Sequence, residues 1–224
     1  MQVAVNKQIN VAQTVDVVLE LVDVHGGEFN GINVATSINM LAKLSGLPAK
    51  HAKSPAQVGV MLGEDRRFSR LIELVSVHCG KLDARGVANV LNGLAVLQAD
   101  LDVKAVDEKL AKQLVNTLSQ EIGVMNAQDA ANTLNALSRL DAVASAMSPA
   151  GWDAVAKAVE RTATLLAGWD IVANAQGIAN TLNSLCALDV ISDATSPTGW
   201  DAVAEAVERT ATLPAGKDAV AGAA

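Results

Sequence analysis

The sequence predicts an all-α chain of helix pairs stacked in series. Three observations lead there: an interior without aromatic bulk, a duplication, and apolar residues spaced for helices. Half of the 224 residues are hydrophobic, yet there are two Phe, three Trp and no Tyr, so Ala, Val, Leu and Ile must fill the core. Ala and Leu enter helices at little cost, whereas sheets favour aromatic and β-branched residues. Residues 151–170 read GWDAVAKAVERTATLLAGWD and residues 199–218 read GWDAVAEAVERTATLPAGKD, an offset of 48 with three differences. The same offset carries NAQDAANTLNALSRLD at 126–141 onto NAQGIANTLNSLCALD at 174–189. Trp152, Val155, Ala156, Val159, Ala163 and Leu166 lie on one stripe of a 3.6-residue helix.

Older copies are visible upstream, VANVLNGLAVL at 87–97 and, more weakly, VATSINMLAKL at 34–44. With Thr36, Asn89, Asn132 and Asn180 taken as equivalent, the spacings are 53, 43 and 48. Such periods suit helix-pair solenoids as well as propeller blades, and the helical stripes select the former. In chain order, helix A is expected at 11–24, B at 31–45, a short piece at 55–62, A at 65–79 and B at 83–98. A at 102–121, B at 126–141, A at 149–166, B at 174–189 and A at 198–212 follow. The expected fold is a right-handed α-solenoid of HEAT/armadillo-like helix pairs, about four repeats plus a terminal helix, irregular at 46–82. The units run at about 10–45, 55–98, 102–141, 149–189 and 197–218. The last helix has an apolar stripe, Trp200, Val203, Ala204, Val207 and Ala211, with no B helix after it. The expectation is a fragment of a longer array, or an end that self-associates.

The boundaries carry local signals. Asn30, Asp83, Asn126 and Asn174 each stand six residues before the anchor position, where a short polar side chain can cap a helix N-terminus. Phe29, Leu82, Met125 and Ala173 precede them, and Val34, Val87, Ala130 and Ile178 follow four residues later, the pattern of a hydrophobic staple. Gly27, Gly80 and Gly123 are expected as left-handed residues that close helix A. Ser54-Pro55, Ser148-Pro149 and Ser196-Pro197 read as a cap followed by proline at the first helical position.

Seventeen basic against twenty-four acidic residues give a charge of −7, the wrong sign for a chain whose work is neutralising phosphates. Cys79 and Cys186 match neither a metal cluster nor a disulfide scaffold. No apolar run approaches the roughly 18 residues of a membrane span. His25 and His78 end A helices, where the dipole favours a cation, and adjacent His78 and Cys79 diverge on a helix. No catalytic residue, metal ligand or cofactor motif emerges, and the expected class is non-enzymatic.

The best functional candidates are the polar residues repeated on helix B. Asn132, Asn135 and Arg139 fall at i, i+3 and i+7; their equivalents are Thr36, Asn39 and Lys43, then Asn89, Asn92 and Val96, then Asn180, Asn183 and Ala187. An amide offers both donor and acceptor, so a column of asparagines can bind the backbone of an extended peptide. Asn39, Asn92, Asn135 and Asn183 are the expected hydrogen-bonding contacts, Lys43 and Arg139 supply charge, and Trp169 is an exposed loop contact without a counterpart at Lys217. The competing reading, strongest for Asn89, Asn132 and Asn180, is that they satisfy buried carbonyls or bond the next repeat. Trp152 and Trp200 begin apolar stripes and read as packing, and Arg66, Arg67 and Arg70 as a solvated face or an anion contact.

The segment from Asn126 to Leu140, NAQDAANTLNALSRL, resembles the repeat of the SKWP type III effectors of plant-pathogenic bacteria. Asn174 to Leu188 is similar and Asp83 to Leu97 more loosely so, with Ser138-Arg139-Leu140-Asp141 standing where that family has Ser-Lys-Trp-Pro. The resemblance implies a bacterial protein secreted by a type III system into a host cell, where it binds a host protein or extended peptide. A weaker similarity to octotricopeptide repeats implies the alternative, a helical repeat protein reading single-stranded RNA.

Overall fold

The computed structural model describes residues 2–45 and 55–166. Among the described residues there are ten α-helices and no strand. They are α1 (Gln2–Val11), α2 (Val15–His25), α3 (Gly31–Ser45), α4 (Pro55–Glu64) and α5 (Arg66–His78), then α6 (Ala84–Leu101), α7 (Glu108–Glu121), α8 (Ala127–Leu137), α9 (Asp141–Ala146) and α10 (Pro149–Leu166). Helix α3 packs along α6 and α6 along α8, with α1 on the other side of α3. Helix α2 packs on α5, and α7 lies against the turn that ends α5 and against α10. The B helices α3, α6 and α8 thus lie side by side, with α2, α5, α7 and α10 packed against them.

One connector is used three times. Helices α2, α5 and α7 each run into a single 3-10 turn, Gly26–Glu28, Cys79–Lys81 and Ile122–Val124. Phe29, Leu82 and Met125 then leave in extended conformation and are buried. Next comes the cap: Asn30 accepts from the N–H of Asn33 at 3.0 Å, Asp83 from Gly86 at 2.7 Å and Asn126 from Asp129 at 2.9 Å. Val34, Val87 and Ala130 are buried four residues on, as a staple requires. Each such cap contributes about 1 kcal/mol by satisfying an orphan donor of the first turn. Ser148 caps α10 through the N–H of Gly151 at 3.1 Å.

The glycines of this connector do not do what their positions suggest. Gly27, Gly80 and Gly123 lie inside the 3-10 turns, and no described glycine has positive φ. The 3-10 turn replaces a left-handed terminator: Phe29 N–H bonds the Gly26 carbonyl at 3.3 Å and Leu82 N–H the Cys79 carbonyl at 3.1 Å. Among the described residues the one positive φ belongs to Asp102, at 56°, which ends α6.

Three further differences have local causes. Helix α1 precedes the first expected element and is held by the buried Asn33, whose amide donates to the Gln2 carbonyl at 3.1 Å and to Asn6 Oδ1 at 3.4 Å. The A helix expected from 102 starts at Glu108, because Asp107 caps it through the N–H of Leu110 and the segment before it buries Val103, Ala105 and Val106. The B helix expected to reach 141 stops at Leu137; Ser138 donates to the Asn135 carbonyl at 2.9 Å and the short α9 begins at Asp141. Expected elements from residue 167 onward, and the stretch 46–54, lie outside the described residues.

Successive A helices are also joined by a repeated polar contact. Arg70 on α5 donates to the Asp23 carbonyl at the end of α2 at 3.2 Å, and Gln113 on α7 to the Ser76 carbonyl at the end of α5 at 3.5 Å. Arg161 on α10 donates to the Ile122 and Met125 carbonyls at 3.1 and 3.2 Å. Arg70 and Gln113 each stand thirteen residues before a cap, Asp83 and Asn126, and Arg161 stands thirteen before Asn174, the expected cap that lies outside the described residues. Helix C-terminal carbonyls lack intrahelical donors, so a donor from the next A helix fixes the joint.

Candidate functional site

The B helices place the expected asparagines on neighbouring rods, but two of them serve each other. Asn135 Nδ2 donates to Asn92 Oδ1 at 3.3 Å between α8 and α6. Arg139, in the turn just after α8, is ion-paired with Asp100 near the end of α6. Asn132 accepts from Gln128 of its own helix at 3.0 Å. Asn39 and Lys43 are exposed on α3. Asn183 and Trp169 lie outside the described residues. Trp152 is 8% exposed and belongs to the core.

A polar groove opens where α1, α3 and α6 meet, with a volume of about 570 Å³. Its lining includes Asn6 and Asn10 from α1, Thr36 and Asn39 from α3, and Arg85 and Asn89 from α6. Lys81 and Asp83 border it from the connector, and the small residues Gly31, Ala35 and Gly86 line it as well. The Thr36 hydroxyl is used within its own helix, donating to the Ile32 carbonyl at 2.7 Å, and Asn10 donates to the Asn6 carbonyl at 2.9 Å. Asn39 and Asn89 make no side-chain hydrogen bond among the described residues. Their amides therefore keep both donor and acceptor for another molecule.

The sequence marks Thr36, Asn39 and Asn89 on the B-helix strip and Asp83 as a cap, but not the other polar residues of this lining. Asn6 and Asn10 belong to a helix without a repeat signature, and Lys81 and Arg85 flank the cap Asp83 rather than follow the i, i+3, i+7 register. The buried Asn33, 1% exposed, holds α1 in place as the outer wall.

Several charged and nucleophilic groups outside the groove are engaged internally. Arg67 bridges Asp65 at 2.8 Å and Asp16 at 2.7 Å, tying α5 to α2. The Arg67 guanidinium holds the Asp65 carboxyl below the usual carboxylate range. Arg66 and Arg70 stand 3.9 and 4.0 Å from Asp23. Burial pushes the Cys79 thiol up, against a contact of its Sγ with Thr117 Oγ1 at 3.4 Å. Burial, aided by Lys81, lowers the pKa of His78, so this helix end holds a neutral imidazole more readily than a cation. Among the described residues no group of three His, Cys, Asp or Glu could hold a metal, and no helix is long and apolar enough to cross a membrane. No protein-family model matches the chain, and no curated protein is significantly similar to it.

Proposed function

We propose that the chain is a right-handed α-solenoid of HEAT/armadillo-like modules that works as a non-enzymatic protein-binding scaffold. The observation that carries this reading is the pair of unbonded amides, Asn39 and Asn89, presented by successive B helices into one groove. An extended peptide has unsatisfied backbone donors and acceptors at regular intervals, and such amides can pair with them. The thrice-used connector and the carbonyl contacts between A helices support serial stacking of modules. Asn92 and Asn135 act in this scheme by locking α6 to α8, and Arg139 ties the turn after α8 to α6 through Asp100.

The resemblance of Asn126–Leu140 to the SKWP repeat supports a host protein as the partner and type III secretion as the route to it. The test is recovery of proteins from plant extract on immobilised wild type and on the Asn39→Ala/Asn89→Ala variant, with helicity checked by circular dichroism. The expected result is a defined set of proteins lost with the variant; equal recovery by two equally helical proteins refutes the groove. Titration with single-stranded RNA at low and moderate salt addresses the other binding class: tight, steeply salt-dependent binding would replace this reading.

A further inference from the structure

The groove has an uneven charge. Three of its lining residues are ionisable, Lys81, Asp83 and Arg85. The Asp83 carboxylate is already committed to the start of α6, accepting from the Gly86 N–H at 2.7 Å. Neither Lys81 nor Arg85 forms an ion pair among the described residues; Lys7, Lys43, Lys104, Lys109 and Lys157 form none either, but only Lys81 and Arg85 of these cations line the groove. Both are exposed. Asp129 at the start of α8 feels the Arg85 charge, but Asp129 is itself buried, 6% exposed, with its carboxyl turned to the Asn126 backbone. In a chain of net charge −7, this groove presents two cations against one occupied carboxylate.

Cations left without partners beside free amides select for an anionic group on an otherwise uncharged polymer. A polypeptide fits better than a nucleic acid. The lining contains no aromatic residue on which a base could stack, and one acid-reading spot does not match a charge on every repeat unit. Resting on the protein-binding reading above, we propose that the groove takes an extended peptide bearing an Asp or Glu side chain. Lys81 and Arg85 bind its carboxylate while Asn39 and Asn89 hold the flanking main chain. The acidic residue sets the register of the peptide, and the amides supply affinity that does not depend on its sequence. Arg85 can grip a carboxylate through two parallel N–H groups, whereas Lys81 contributes a point charge.

The experiment uses the full chain immobilised against a phage-displayed library of random peptides, followed by affinity measurement on synthetic copies of the enriched sequences. Enrichment of peptides sharing an acidic position is expected. Replacing that residue by its amide should weaken binding about tenfold, the loss of a charge-assisted pair. The Lys81→Glu/Arg85→Glu variant should reject these peptides and enrich for basic ones. Lys109→Glu/Lys112→Glu on α7, with the same charge change, should select as wild type does. Circular dichroism confirms that each variant is folded. Peptides without an acidic preference that still depend on Asn39 and Asn89 would overturn this inference and leave the protein-binding reading standing. No enriched peptide at all, or enrichment indifferent to both pairs of substitutions, would overturn both.

Discussion

Gly93 of α6 packs closely against Ile38 of α3, and adding one methyl group there is a direct test of the packing. A Cβ on Gly93 would stand 2.6 Å from Ile38 Cγ2 and 3.2 Å from the Ile38 carbonyl carbon and oxygen. Carbon atoms prefer about 3.5–4.0 Å, so the overlap with Cγ2 is about 1 Å. Two of the three opposing atoms are backbone and cannot rotate away; α3 and α6 must part. Overpacking of this kind costs about 2–3 kcal/mol, and replacing a mid-helix glycine by alanine returns about 1. Gly93→Ala should therefore lose about 1–2 kcal/mol. Gly123→Ala is the companion, since nothing lies within 4 Å of its Cβ position and its φ is not positive. It should be neutral or gain about 0.5 kcal/mol through reduced freedom of the unfolded chain. Urea unfolding followed at the helical circular dichroism band gives both shifts in midpoint, compared at unchanged slope. A Gly93→Ala protein as stable as wild type would refute the close approach of α3 and α6. A loss of 1 kcal/mol or more in Gly123→Ala would mean that this residue is left-handed after all.

Other outcomes follow from single contacts. Arg161→Met keeps the packing of the stem but leaves the Ile122 and Met125 carbonyls without their donor, and should lose about 1–3 kcal/mol in the same assay, with Arg161→Lys recovering part. Burial raises the pKa of Asp129 above its ordinary value, although the Asn126 N–H works against the shift, so the folded protein binds this proton more readily than the unfolded chain. Stability should then fall as pH rises from the ordinary carboxylate range through the raised value, and Asp129→Asn should lack that slope and be no less stable at neutral pH. Wild type gaining on Asp129→Asn as pH rises through that window would reverse the sign. Cys79 is 1% exposed and its thiol is pushed up by burial, so in a Cys186→Ser background an aromatic disulfide reagent should label it far more slowly than free cysteine until urea opens the fold. Prompt labelling of native protein would contradict the burial.

What could be read beforehand was whatever repeats. Asn30, Asp83 and Asn126 stand out because four copies share a cap six residues before an anchor, and all three described ones cap as expected. Helix α1 has no such copy: it buries only Val5 and Ile9, and its place depends on the long-range bond from Asn33 to the Gln2 carbonyl, which no local pattern announces. The start of α7 is not legible in the sequence because Val103, Ala105 and Val106 are apolar at helix-compatible spacing yet are buried in non-helical backbone. For the groove, periodicity pointed to the asparagine strip but could not separate its members. Asn92 and Asn135 lie close enough across the α6/α8 joint to bond, whereas Asn39 and Asn89 border a gap. That distinction depends on the lateral offset of the rods, which is a property of packing rather than of either helix.

The donor on each A helix and the cap that follows it keep a constant separation of thirteen residues, while the anchors of successive units are 53, 43 and 48 apart. Slack in unit length is therefore absorbed on the other side, between a B helix and the next A helix, where α4 and α9 reside. Residues added there fall outside the interval between donor and cap, provided that the buried Leu62 of α4 and Val143 of α9 keep their places, whereas a single residue inserted between Gln113 and Asn126 would alter that interval and move the start of α8 relative to α7.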